Sequence, residues 1–162
     1  MKTAIIYTSK HGTTERVACA MADKLRETDE VTLFSLKKDP NPIISAFDRV
    51  VLGAPVYAGK VSAKMKTFCK ANEAVLLQKR TGLFVCGMYP SKEKQEEELK
   101  NAYPQELFTL AKATAFLGGA FLFEQMNFFE RAIIKKIAKT TTSVHRIDWE
   151  AVDGFIEGLK QE

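Results

Sequence analysis

Along this chain, short apolar runs alternate with stretches whose apolar residues recur at helical spacing. Residues 2–8, KTAIIYT, read as a buried strand. In residues 13–27, TTERVACAMADKLRE, Val17, Met21 and Leu25 fall on one helical face. VTLFSL (31–36) predicts a second strand, and NPIISAF (41–47) a short helix with Asn41 as cap and Pro42 in its first turn. DRVVLGA (48–54) is a third strand. Ser62 is placed to cap a helix that turns Val61, Met65, Phe68 and Cys69 inward. RTGLFVCG (80–87) is a fourth strand, and residues 92–112 read as helix split by Pro104, which lacks a backbone donor. TAFLGGAFLF (114–123) is a fifth strand. Asp148 then caps a last helix with Trp149, Val152, Ile156 and Leu159 on one side.

Strands that are apolar on both faces, alternating with amphipathic helices, predict a parallel sheet covered on both sides. Five such strands suit a doubly wound α/β sandwich of order 2-1-3-4-5 with right-handed crossovers. There is no repeat or linker, so residues 1–162 are expected to form one domain. In such sheets ligands bind beyond the C-terminal strand ends. The loops there are 8–14, 54–61 and 87–92.

Composition narrows the classes. No apolar run approaches the roughly 20 residues that span a bilayer, and MKTAIIYTSK reads as a strand rather than a signal peptide. These features predict a cytoplasmic protein. Cys19, Cys69 and Cys86 are too far apart for a CxxC site, and the histidines are His11 and His145, so neither a zinc site nor a disulfide framework is expected. The cysteines read as reduced, mostly buried thiols. A net charge of +4 is too small to predict a nucleic-acid partner.

The first loop carries four hydroxyl residues and a glycine between Thr8 and Thr14. It fits two roles. Its threonines can cap the following helix, or the open N–H groups and positive end of that helix can cradle a phosphate with help from the hydroxyls. The patterns GxxxxGK[ST] and GxGxxG are both absent.

YTSKHGTTE, after its apolar strand, resembles the flavodoxin phosphate loop, roughly [ST]-x-[ST]-G-x-[ST]. Ser9, Gly12 and Thr14 match, Thr13 takes the variable position, and His11 replaces the middle hydroxyl. The resemblance extends to the length and element order of the whole chain. It implies a flavodoxin-like three-layer sandwich and an FMN phosphate held by Thr8, Ser9, Lys10, His11, Gly12, Thr13 and Thr14. In GAPVYAGKVS (53–62), it implies that Pro55, Val56, Tyr57, Ala58 and Gly59 border the flavin, with Tyr57 stacked on the ring. The peptide near Gly59 would turn to meet the reduced flavin. In CGMYPSK (86–92), Gly87, Met88 and Tyr89 would line the pyrimidine side, Tyr89 either stacking or shielding the edge. No side chain is implied as a proton-transfer catalyst.

Two features depart from the small flavodoxin shuttles, which are generally strongly acidic. The first is the positive net charge; Lys10, His11 and Lys60 near the site lead to the expectation of a less negative flavin potential. The second is the segment 126–139. Met126, Phe129, Ile133 and Ile137 lie at helical spacing, and Arg131, Lys135 and Lys139 follow i, i+4 spacing, which makes a basic amphipathic helix. It reads as a solvated helix face or as a contact surface for an anionic partner, a substrate with carboxylates or a membrane.

FFERAIIK (128–135) and Asp148-Trp149-Glu150 also resemble the menaquinone-dependent protoporphyrinogen oxidases of the flavodoxin group. The region YPSKEKQEEELKNAYP (89–104) is shorter and more acidic than their basic insertion. The expected function is therefore FMN-based electron transfer with redox proteins or quinone as partners. The alternative is a protoporphyrinogen oxidase-like or other FMN-dependent quinone oxidoreductase. A flavin-free receiver module, the remaining class, needs acidic residues after the first and third strands, where this chain has Thr8-Ser9 and Ala54-Pro55.

Overall fold

The computed structural model describes residues 1–57, 59–89, 91–121, 132 and 144–162, with only the backbone of residues 57, 120, 121 and 144–146. The basic helix expected over 126–139 lies outside the described residues, apart from Ala132.

The chain runs β1 (Lys2–Tyr7), α1 (Thr13–Leu25), β2 (Glu30–Ser35), β3 (Arg49–Tyr57), β4 (Lys60–Val61), α2 (Ala63–Leu76) and β5 (Arg80–Cys86). It continues with α3 (Lys92–Ala102), α4 (Gln105–Leu110), β6 (Ala113–Phe116), β7 (Gly118–Phe121), β8 (Val144–Ile147) and α5 (Trp149–Lys160). The main sheet has the order β2-β1-β3-β5-β6, all parallel, with β4 folded back antiparallel on β3. Counted over the parallel strands alone, this is the expected order 2-1-3-4-5.

Side chains on a strand alternate between faces, so successive residues enter different cores. Ala4 and Ile6, Val50 and Leu52, and Leu83 and Val85 pack with Met65, Phe68, Leu99 and Leu107 from α2, α3 and α4. Ile5, Val51 and Phe84 pack on the other face with Val17, Met21 and Leu25 of α1 and Val152, Phe155 and Ile156 of α5. Gly53 is the socket for Phe84: a Cβ there would stand 2.0 Å from Phe84 Cζ. The N-terminal edge of the sheet is closed by a polar cluster. Asp29 Oδ2 accepts from Arg49 Nη1 at 2.7 Å and from Thr3 Oγ1 at 2.8 Å, tying β1 and β3 to the start of β2.

Helix limits follow the expected signals. Ser62 Oγ accepts the Met65 N–H, and Asp148 Oδ1 accepts the Ala151 N–H. Pro104 separates α3 from α4. Two expectations fail. NPIISAF forms no helix; Asp39 Oδ1 accepts the Asn41 N–H, and Ile44 alone of its two isoleucines is buried, with Ile43 left 79% exposed. A segment that short cannot offset the cost of helix nucleation without an apolar stripe to anchor it.

The strand expected over 114–123 is two strands over its described residues, 114–121. β6 pairs with β5 only to Phe116. Gly118, at φ 72, then turns the chain into β7, which pairs antiparallel with β8. Close approach makes glycine necessary here. The Gly87 N–H donates to Gly118 O at 2.9 Å, and a Cβ on Gly119 would meet the Gly87 carbonyl at 3.0 Å.

Candidate functional site at the C-terminal sheet edge

β1, β3 and β5 are the three central strands, so the loops that follow them meet at one edge. After β1, the Thr8 N–H donates to Gly53 O at 3.0 Å, which fixes the loop's first residue on β3. Ser9 Oγ accepts the Gly12 N–H at 3.0 Å and closes a tight turn. Gly12 then enters α1 at φ 91, a left-handed conformation that glycine adopts without strain.

Gly12 occupies the N-cap of α1, and no side chain caps the helix. Of the two roles open to this loop, ordinary capping would place a hydroxyl oxygen on a first-turn N–H. The threonines do otherwise. Thr8, Thr13 and Thr14 are 6%, 8% and 1% exposed, and Oγ1 of each is buried without a hydrogen-bond partner. Leaving a polar group buried and unpaired costs about 1–3 kcal/mol. Thr14 sits beside the Cys86 thiol, but sulfur is a weak partner. Three buried donors beside an uncapped helix N-terminus fit an anion with several oxygens, as a phosphate has. Ser9 and His11 are half-buried, and Lys10 is exposed.

The second loop is shorter than expected because β3 runs on to Tyr57. Pro55 and Val56 are buried strand residues, Pro55 in register with Cys86. Tyr57 pairs with Lys60 across the β3–β4 turn, whose Gly59 has φ 73. The Tyr57 side chain and Ala58 lie outside the described residues.

The third loop reaches the second directly. Tyr89 Oη accepts the Gly59 N–H at 2.8 Å. The Tyr89 ring stands edge-on to Phe116, centroids 6.1 Å apart. Burial raises the Tyr89 pKa, the Gly59 N–H opposing it. Gly87 lies between Val56 O and the Phe116 ring, at 3.3 and 3.1 Å from a notional Cβ. Met88 is half-buried beside it. Cys86, at the strand end, is pushed up to about 12 by burial, with the Thr14 hydroxyl opposing.

Sequence reasoning missed the support beneath these loops. Gln95 Nε2 donates to Tyr89 O at 2.6 Å, and the buried Glu98 pairs with Lys94 at 3.2 Å close to Gly59. Gln95 and Glu98 sit among charged residues of α3, where nothing in the pattern separates them from a solvated face. Cys69 and Cys86 are buried, as read for all three cysteines, whereas Cys19 is exposed.

A family model of the flavodoxin domain matches residues 4–148. The chain belongs to the flavodoxin domain family. Membership bears out the resemblance drawn from YTSKHGTTE, FMN as the cofactor and electron transfer as the broad function. Among curated relatives, protoporphyrinogen IX dehydrogenase [quinone] of Escherichia coli K12 is 23% identical, over 96% of this chain and 92% of its own. Among solved structures, a flavodoxin from Streptococcus pneumoniae TIGR4 is 19% identical at a TM-score of 0.56, covering 98% of this chain and 97% of that one. Flavodoxin 1 of Bacillus cereus is 20% identical at 0.54, covering 86% and 96%. At these identities the solved structures support the fold. Among the described residues, no helix of this flavodoxin-domain chain is long and apolar enough to cross a membrane.

Proposed function

We propose that the chain holds FMN non-covalently with its phosphate in the loop Thr8–Thr14 and its ring between the β3–β4 turn and the loop after β5. The observation that carries this reading is the trio of buried, unpartnered hydroxyls on Thr8, Thr13 and Thr14. Each would donate to a phosphate oxygen. Ser9 Oγ already accepts from Gly12 and keeps its own proton to donate. The first N–H groups of α1 and its dipole favour the negative charge. Backbone groups of Gly87, Met88 and Tyr89 would bond the pyrimidine edge, Tyr57 would stack on the ring, and Pro55, Val56, Ala58 and Gly59 would close the other side.

Bound flavin supplies the capacity to take up and pass on electrons; the protein binds it, orients it and sets its electrostatics. Lys10 and Lys60 bring positive charge to the rim, with His11 beside them, which raises the potential relative to acidic flavodoxins. Cys86 stays a protonated thiol at neutral pH, since burial holds its pKa at about 12, and serves as packing beside Thr14.

A second reading is quinone-linked oxidation of a porphyrinogen. The near full-length match to protoporphyrinogen IX dehydrogenase [quinone] favours it, as does the resemblance of FFERAIIK and Asp148-Trp149-Glu150. The basic segment 126–139 would then face a membrane surface that carries the quinone. Purified protein should be yellow and release FMN on denaturation; colourless protein that cannot be reconstituted with FMN rules out the flavin reading. Turnover of protoporphyrinogen with menaquinone, set against reduction by a flavodoxin reductase, separates oxidase from electron carrier.

A further inference from the structure

We propose that Tyr89 is a positioning residue: its hydroxyl ties the loop after β5 to the β3–β4 turn and so positions the two loops that would border the flavin ring. The proposal rests on the FMN reading above and adds what holds the ring end of the site.

Gly59 and Tyr89 lie on different loops, 30 residues apart, and the Gly59 N–H to Tyr89 Oη bond at 2.8 Å joins them directly. Both ends of the tie are braced. Gln95 Nε2, one turn into α3, donates to the Tyr89 carbonyl at 2.6 Å. The ring rests edge-on against Phe116, the last residue of β6. Ser91 Oγ caps α3 by accepting the Lys94 N–H, which fixes the helix that carries Gln95. On the other side, Gly59 takes a left-handed conformation at φ 73 and lies close to the buried Glu98 carboxylate, itself paired with Lys94. The turn is thus held by the Tyr89 hydroxyl and backed by α3.

The FMN reading separates the ends of the ligand. The hydroxyls of Thr8, Thr13 and Thr14 would meet the phosphate, and the tie would bear on the ring end alone. Losing the tie should therefore affect a flavin with and without phosphate by the same factor.

The test compares Tyr89→Phe, which keeps the ring and loses only the hydroxyl, with the unaltered protein. Gln95→Met serves as a second variant that loosens the same tie from behind. In flavin-free protein, amide hydrogen exchange at Gly59 should speed up at least about threefold in Tyr89→Phe, the scale of one modest hydrogen bond. With ligand, affinities for FMN and riboflavin should fall together by about threefold to tenfold, and the visible spectrum of bound FMN should change. Gln95→Met should move all three readouts in the same direction. Unchanged exchange at Gly59, or a loss confined to FMN, overturns the proposal while leaving the FMN reading standing. Absence of FMN binding by the unaltered protein overturns that reading and the proposal with it.

Discussion

Replacing Thr14 with valine should move stability and cofactor affinity in opposite directions. Thr14 is 1% exposed, its hydroxyl has no partner, and its neighbour at that point is the Cys86 thiol. Valine nearly matches threonine in shape and in helix propensity. In the flavin-free protein the substitution removes a buried polar atom that is unpaired, which relieves about 1–3 kcal/mol; the adjacent thiol argues for the low end, about 1 kcal/mol. With FMN bound, the same substitution removes a hydrogen bond to a charged group, worth about 1.5–3 kcal/mol. That corresponds to a dissociation constant raised about 10-fold to 150-fold. Riboflavin lacks the phosphate, so its affinity should hold. Urea unfolding of the flavin-free protein reads the first effect, and fluorescence titrations with the two flavins read the second. A flavin-free variant less stable than its parent, or equal losses for FMN and riboflavin, would refute the assignment of this hydroxyl to the phosphate.

Other outcomes follow from the packing and the buried groups. Gly53→Ala puts a Cβ where the Phe84 ring lies, 2.0 Å from Cζ, and should cost about 3 kcal/mol in urea unfolding; a loss below about 1 kcal/mol would show the ring free to move aside. Asp29→Asn leaves Arg49, whose side chain is 4% exposed, as a buried charge without its counter-ion. It should lower stability by about 3 kcal/mol while FMN affinity, governed at the other end of the sheet, stays put; a matching loss of affinity counts against that separation. Burial raises Cys69 and Cys86 from 9.0 to about 12. For groups raised this way the folded state holds its protons more tightly. Their stabilisation is complete below pH 9 and is lost as pH climbs towards 12, so chemical denaturation should become easier across that window. At pH 8 iodoacetamide should label the exposed Cys19 and spare the other two in native protein; rapid labelling of all three would contradict the burial.

The parallel sheet was legible because its strands are apolar on both faces, as in KTAIIYT and DRVVLGA, and because the helices between them carry stripes such as Val17, Met21 and Leu25. Local chemistry located Ser62, Pro104 and Asp148, each acting through its own backbone neighbourhood. Where tertiary contacts decided the outcome, sequence reading failed. NPIISAF has the cap and the proline of a helix start but no stripe to bury. TAFLGGAFLF looks continuous, yet its Gly118-Gly119 pair is the point where β7 must pass within contact of Gly87. The likeness of the loop after β1 to a phosphate loop was readable as a motif. That its threonines stay unpaired was not, since the pairing of three buried hydroxyls is decided by the fold. Gln95 and Glu98 were illegible for another reason: α3 is rich in charge, and what sets those two apart is their contact with a loop reached through the fold.

The turn closed by Ser9 and Gly12 also bears on the order of events in time. Thr8 is fastened to β3, and Thr13 and Thr14 are built into α1, so the backbone of this loop is set before any ligand arrives, and on the FMN reading the phosphate end is the preorganised one. The Tyr89–Gly59 tie, by contrast, is a single solvent-exposed hydrogen bond between two loops. Arrival should therefore begin at the phosphate and finish at the ring, and departure should run in reverse. Two clocks result. The encounter rate should fall with added salt, because it is governed by charge at the preformed end. The residence time should follow the grip on the ring, and change little with ionic strength.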